Sequence, residues 1–559
     1  MPTIRSYNKR LEALKSERAT FLPLYRELSD YHLAHRGRFL TSDRNKGHKR
    51  NTKQINNTSR LAARTLAAGM MSGITSPARP WFRLSSGDTA LDDSASVKAW
   101  LHEVQTIMYK VFASSNTYNS LHTLYSELGV FGTGAMGVFK DFENVIWCRP
   151  YTVGSYMLGM NGKNEVDTMY REYELTAGQL VKQFGEENVS HQAKQMWGTG
   201  NSEAWIQLAH LIEPNDDRDG ASPLARDKAW RSVYYETSNP VGKGSGEDKF
   251  LRQSGFDDFA ILAPRWDVTG EDVYATDCPG ITALGDTKAL QLGEKRLFQA
   301  VDKVANPPLQ GPASLKNKMK ANALNSNEIT WLDENTQGLE SIYGNWRPDL
   351  AALKLVNDDA EERVRRGFYE DLFLMLAQTD RRQITAREVA EKHEEKLLML
   401  GPVLERLHTE LLDPLIDRTF RILQENGVLP IPPEELQNRE LRVEYVSVLA
   451  QAQRLVNTGA IDRISEFAGN IAAVWPDARH KVNAVQAVDD YAEALGIDPA
   501  IIRSDEEVAQ LVEADRQAAA QQQAAAQAQQ MSDMAKSASE TEISEDNALG
   551  RVMQRAGIG

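Results

Sequence analysis

The chain has 559 residues, of which 41% are hydrophobic and 25% charged. That is enough apolar material for a sizeable core and excludes a wholly disordered chain; at ~150 residues per domain the length allows about three to four domain-sized units. Two cysteines, Cys148 and Cys278, exclude a disulfide scaffold and a Cys-rich metal site. No apolar run reaches the ~18 residues that span a bilayer, and Met1 to Arg10 lacks the apolar stretch of a signal peptide. A soluble chain with no membrane partner, made in a reducing cytoplasm, is the expectation. The net charge is −14, but residues 1–64 hold 15 Lys or Arg against 5 Asp or Glu. So acidic a remainder does not bind DNA over most of its surface, because that affinity comes from neutralising phosphates. The basic N-terminus is expected to be a solvated or intersubunit helix, or else a contact for nucleic acid or an acidic partner.

In chain order, Ile4, Tyr7, Leu11, Leu14, Phe21, Tyr25 and Leu28 recur every three or four residues and predict one amphipathic helix, kinked at Pro23. Residues 36–53 read as a basic loop, and a second helix runs from Thr58 to about Met71. Trp81, Phe82 and Leu84 begin a buried strand; residues 94–128 are again mostly helical. From Gly129 to Glu174 the period shortens to that of a sheet of short strands, with Asn161-Gly162 as a hairpin turn. Thr176 caps a short helix that stops at Gly185. Strands are expected over Trp205 to Ile212, Trp230 to Tyr235 and Phe259 to Trp266. A helix over Thr282 to Val304 closes at Asn306-Pro307-Pro308, and short strands at Ile329 to Leu332 and Leu339 to Tyr343 follow a Lys-rich stretch. Asp358 to Ala377 and Ala386 to Leu423 are the next helices, the second bent at Pro402 and Pro414. Shorter helices fill 447–500. Ser504 and Glu507 form a capping box that starts an Ala/Gln-rich helix, and residues 536–559 read as disordered.

Few motifs carry chemistry. Gly132-Thr133-Gly134-Ala135-Met136-Gly137 matches GxGxxG, but the text before it is helical and the text after it is strand. A dinucleotide site needs the opposite order and an acid ~20 residues on, where Met157 stands instead. A tight glycine turn between helix and sheet accounts for it better. His393-Glu394 is followed by Leu397, so HExxH fails, and no P-loop is present. Acidic pairs at Asp358-Asp359 and Glu361-Glu362 suit a helix start. Catalytic residues, metal ligands and cofactors are all expected to be none.

The remaining phrases carry a resemblance. They are Ala67 to Phe82 (AAGMMSGITSPARPWF), Phe131-Gly132-Thr133-Gly134, Ala263-Pro264-Arg265-Trp266, Ala283-Leu284-Gly285-Asp286, Ile384 to Val389 (ITAREV), Leu400-Gly401-Pro402-Val403 and Leu449 to Gln453 (LAQAQ). In this order, over roughly residues 1–500, they resemble the head-to-tail connector, or portal, proteins of short-tailed, T7-like bacteriophages.

The resemblance implies an α+β, mainly helical portal fold: a wing sheet, paired stem helices, a small α/β clip, a helical crown and a C-terminal helical barrel. It divides the chain into a wing or body (1–282), a first stem helix (283–306), a clip (307–350), a second stem helix (351–377), a tunnel loop (378–385) and a long kinked wing helix with its following segment (386–449). The crown (450–503), the barrel helix (504–535) and the disordered tail (536–559) complete it. It implies a homo-oligomeric ring of about twelve subunits at one capsid vertex of the virion, assembled in the host cytoplasm. Its partners would be the terminase large subunit, tail adaptor or nozzle proteins, capsid and scaffolding protein, and double-stranded DNA passing without sequence specificity. Arg381 and Arg382 would face the channel from the tunnel loop; Lys316, Lys318 and Lys320 would mark the clip surface for terminase or tail. Another phage structural protein such as a tail adaptor stays open, as does a nucleotide-dependent enzyme built on the Gly132–Gly137 turn.

Overall fold

The computed structural model describes residues 3–39, 53–88, 91, 94–237, 250–312, 329–332, 340–341, 349–378, 400–436, 441–446, 467, 505–540 and 555. The chain divides into two compact units, residues 1–457 and 458–559.

Thr3 opens helix α1 (Ile4–Ala19) by accepting a hydrogen bond from the Ser6 amide. The expected single N-terminal helix is in fact two. The chain stops after Ala19 and restarts as α2 (Leu22–Tyr31), with Pro23 in the new first turn. There the missing proline N–H is one of the donors a helix start leaves unpaired anyway, so proline begins a helix here instead of kinking one. The apolar stripe of α1 is neither solvated nor left for a neighbouring subunit. Ile4, Tyr7, Leu11 and Leu14 pack on Met157, Tyr170, Leu211, Val233 and Tyr235 of the same chain. The charged face stays outside, where Lys15 pairs with Glu172 at 2.9 Å.

Helix α3 (Thr58–Ile74) runs through Gly73, three residues beyond the expected end. It is followed by β1 (Phe82–Ser85), α4 (Ala95–Ser114) and α5 (Thr117–Phe131). Tyr109 of α4 fixes the start of β1: its hydroxyl accepts from the Trp81 and Phe82 amides and donates to the Phe82 carbonyl, at 2.8–2.9 Å. Next come β2 (Ala135–Asp141), β3 (Val145–Tyr151), β4 (Tyr156–Met160) and β5 (Val166–Thr176). The turn between β4 and β5 is a five-residue loop, not a two-residue Asn-Gly turn. Asn161 Oδ1 accepts from the Lys163 and Glu165 amides, and the left-handed residue is Asn164 at φ 62°.

Helix α6 (Ala177–Phe184) has the capping box Thr176/Gln179 and ends at left-handed Gly185; α7 (His191–Gly198) and β6 (Trp205–Pro214) follow. Strands β7 (Trp230–Glu236), β8 (Arg252–Phe256) and β9 (Ile261–Leu262) complete two antiparallel sheets, ordered β4-β5-β6-β7-β8 and β3-β2-β9. The strand expected over Phe259 to Trp266 shrinks to β9, because Arg265 and Trp266 turn away to bridge the loop after α5.

Helix α8 (Pro279–Ala305) starts on a proline and stops at Asn306. A small sheet of β10 (Leu309–Pro312), β11 (Ile329–Leu332) and β12 (Glu340–Ser341) comes next, β10 pairing parallel with β11 and antiparallel with β12. The helix expected over Asp358 to Ala377 is two, α9 (Leu350–Gly367) and α10 (Glu370–Gln378), broken where Tyr369 is left-handed at φ 53°. The later helix, described from residue 400, passes through a π-helical segment, His408–Leu412, before α11 (Asp413–Glu425). Pro414 has no N–H to give, and its ring would crowd the Glu410 carbonyl; widening the preceding turn relieves that clash without ending the helix. Strand β13 (Arg442–Tyr445) pairs antiparallel with β1. The 36-residue α12 (Asp505–Glu540) belongs to the second unit and continues five residues past the expected barrel boundary, into the segment read as disordered.

Candidate functional site

Three of the phrases that carry the resemblance, Phe131–Gly134, Ala263–Trp266 and Ala283–Asp286, come together at the root of α8, whereas Ile384–Val389 and Leu449–Gln453 lie outside the described residues. Gly132 is left-handed at φ 77°, which ends α5, and its carbonyl accepts from the Trp266 amide at 2.7 Å. Thr133 bridges to Arg265, and its hydroxyl accepts from the Ala275 amide at 2.8 Å. Arg265 is 5% exposed and clamps Glu410 of the π segment at 2.6 Å, while also donating to the Asn164 carbonyl at 2.9 Å. The phrases Phe131–Gly134 and Ala263–Trp266 are thus one structural joint. The order around the glycines is helix, turn, strand, the reverse of a dinucleotide fold, so the turn presents no helix N-terminus to a phosphate.

From this joint α8 rises antiparallel to α9. Ala283 meets Gly367, Asp286 accepts from Arg363 at 2.9 Å, and Asn357 donates to Glu294 at 3.4 Å. Gly293 permits the approach: a Cβ there would stand 2.2 Å from Asn357 Oδ1. Gln291 takes the Ile55 and Asn56 amides at 2.6 and 2.8 Å and donates back to the Asn56 carbonyl, tying the segment before α3 to α8. His32 packs edge-on against Phe368 at the end of α9, and burial pushes its pKa down to about 4. Glu127 of α5, wholly buried, is pushed up to about 7 by desolvation despite Arg36 and the Val153 amide.

The outer halves differ. Beyond Gln291 on α8 and before Asn357 on α9, apolar side chains stand in water: Phe298 is 61% exposed and Leu355 70%, with Leu292, Val301, Val304 and Val356 also exposed. Phe298, Val301 and Val304 recur every three residues, a helical stripe that sequence alone displays but cannot assign to an inner or outer surface.

The residues singled out from sequence are bracketed by these elements. Lys316, Lys318 and Lys320 fall between β10 and β11, and Arg381 and Arg382 between α10 and residue 400; all five lie outside the described residues. So do the crown segment (apart from Phe467), the start of the long wing helix and the Ser504 cap. Among the described residues no helix is long and apolar enough to cross a membrane.

Residues 5–502 match the family of bacteriophage head to tail connecting proteins. The chain belongs to this family. Over 551 residues it is 43% identical to the portal protein of Salmonella phage epsilon15, covering 98% of each chain. Over 538 residues it is 43% identical to the probable portal protein of Bordetella phage BPP-1, covering 96% of this chain and 95% of that one. The family expected from the ordered phrases is therefore the family found, and it is one of structural connectors.

Proposed function

We propose that the chain is a portal subunit at the head–tail junction of the virion. About twelve copies close into a ring at one capsid vertex. Double-stranded DNA is driven in through the ring by terminase, tail adaptor or nozzle proteins dock on it afterwards, and the genome leaves by the same channel. The ATPase belongs to terminase, and this chain has no catalytic role of its own. Capsid and scaffolding protein surround the ring during assembly.

The observation that carries the ring is the exposed apolar run on the outer halves of α8 and α9. A surface holding Phe298, Val301, Val304, Leu355 and Val356 in water gains from burial, and side-by-side copies of the same helix pair supply the cover. Such contacts join different faces of the two copies, and a heterologous contact whose rotation closes makes a ring.

In this reading α8 and α9 are the stem and β10 to β12 the clip, with Lys316, Lys318 and Lys320 facing terminase or tail. Residues 378–385 are the tunnel loop, whose Arg381 and Arg382 meet phosphates without reading bases. Residues 450–503 are the crown, and α12 contributes to a barrel. A net charge of −14 per copy keeps DNA from adhering to the conduit it must slide through.

Negative-stain imaging and native mass measurement of the purified chain test the proposal. The wild type is expected as closed rings with a central hole. Phe298→Glu with Leu355→Glu is expected to give folded monomers whose stability stays within ~0.5 kcal/mol, as befits exposed sites. A wild-type monomer at micromolar concentration, or rings untouched by the double variant, would overturn it.

A further inference from the structure

A cleft of about 690 Å³ opens between the two main sheets and α11, away from the helix pair. Its lining is strongly basic in an acidic protein. On one side the charges are matched: Lys140 pairs with Glu425, Lys228 with Asp257 at 2.5 Å, and Arg418 and Arg421 share Asp258. On the other side Arg149 of β3, Arg171 of β5 and Arg252 of β8 line the same space, and no carboxylate among the described residues pairs with any of them. Aromatic faces hold them instead. Arg149 lies over Trp147 and Tyr151, Arg171 over Tyr151 and Tyr173, and Arg252 over Phe184 and Tyr234, at 4.1–5.9 Å.

Arg171 is the deepest, 5% exposed. Its Nε donates to His210 Nδ1 at 3.3 Å, and His210 Nε2 lies 3.0 Å from Ser232 Oγ. An arginine nitrogen has only protons to offer, so Nδ1 is the acceptor and the His210 proton sits on Nε2, donated to Ser232. Burial, and after it the three arginines, push the His210 pKa well down, so the imidazole stays neutral and serves as a fixed acceptor. One edge of the Arg171 guanidinium is thereby anchored. Its two terminal nitrogens meet no acceptor among the described residues. Arg149 is likewise held below its usual pKa by burial and then by Arg171. Three guanidinium groups are thus gathered against their mutual repulsion, one of them braced from behind.

We propose that this cleft binds a phosphate-bearing ligand of nucleotide size, its phosphate oxygens taken by Arg149, Arg171 and Arg252 and its planar part lying along Trp147. A single carboxylate would leave most of the charge unmatched. A phosphate group brings nearly two negative charges and three acceptor oxygens, and guanidinium forks match that geometry. Trp147 is 45% exposed at the mouth and offers a face for a base. The backbone of a rigid duplex cannot reach a guanidinium buried as deeply as that of Arg171. A free nucleotide and the terminal phosphate of a single strand both can.

Calorimetric titration of the purified full chain, with no metal added, tests the site. Pyrophosphate and ATP are expected to bind, ATP the more tightly, and Trp147→Ala is expected to remove that difference. Arg149→Gln with Arg252→Gln is expected to weaken both at least ten-fold, while Arg64→Gln, an exposed arginine on α3, changes neither. Arg171→Gln is expected to abolish binding; should it unfold in a thermal melt, the double variant decides. A 5′-phosphorylated oligonucleotide that displaces ATP would assign the ligand to a strand end, and one that does not would assign it to free nucleotide. No pyrophosphate binding at millimolar concentration, an equal loss in Arg64→Gln, or tighter binding of an oligo-glutamate peptide than of pyrophosphate overturns the proposal.

Discussion

The inner and outer halves of the α8–α9 pair belong to the same two continuous helices, yet they obey different physics. The inner half, from Pro279 to Gln291 against Asn357 to Gly367, is locked to the rest of the chain by the Gly132–Arg265 joint and by the clasp on Asn56. The outer half carries Phe298, Val301 and Leu355 into solvent. Helical periodicity alone does not distinguish an apolar stripe that stabilises a subunit from one that assembles subunits. What covers the stripe does.

Shortening a buried side chain in the inner half should have the largest effect. Leu290 is 0% exposed, and Leu290→Ala should cost about 2–5 kcal/mol in denaturant unfolding of the chain, through lost burial and the cavity left behind. Leu292→Ala, two residues on and half exposed, should change the same measurement by no more than ~0.5 kcal/mol. Equal losses at the two positions would erase the distinction.

A second test uses pH, because His32 and Glu127 are buried in the body and the outer half holds no such group among its described residues. Glu127 has a folded pKa of about 7, above its value of 4.5 when unfolded, so its stabilisation is complete below about 4.5 and is lost as pH rises through 7. His32 has a folded pKa of about 4, below 6.5, so its stabilisation is complete above 6.5 and is lost as pH falls through 4. The two trends oppose each other between about 4.5 and 6.5. Glu127→Gln should remove the loss on the alkaline side, up to ~3 kcal/mol by the size of the shift, and His32→Leu the loss on the acid side. Melting curves of the outer-half variant Phe298→Glu should keep the wild-type pH profile.

The smallest effect compares two glycines of α8. Gly293→Ala pushes a Cβ to 2.2 Å from Asn357 Oδ1 and should destabilise by about 1 kcal/mol, as the buried Asn357 amide swings away and gives up its bond to Glu294. Gly285→Ala meets nothing within 4 Å and should stabilise by about 0.5–1 kcal/mol through helix propensity. Urea midpoints moving in opposite directions would show that only one of the two glycines serves helix contact.

Much of this protein is local and therefore readable in its sequence. The Thr176 capping box, the stop at Gly185, the span of α8 and the role of Gly132 all follow from groups within a few residues of one another, whose backbone needs are met by short-range bonds. The ordered phrases also sufficed for the family. Where several solutions satisfy the same local pattern, the tertiary structure decided. Strand β8, rich in Gly and Ser, carries little strand propensity and exists because β7 offers it an edge. The break at Tyr369, left-handed at φ 53°, interrupts a stretch that reads as a single helix. The arginine cleft gathers residues 149, 171 and 252 from strands of two sheets. No spacing announces it, because the electrostatic field that defines it exists only once the sheets stand side by side. The sequence alone determined which stretches are apolar and where the locally capped ends such as Thr176 and Gly132 fall; which apolar stretches are covered, and which charges lack a partner, depends on contacts between residues far apart in the chain, and only the fold makes those.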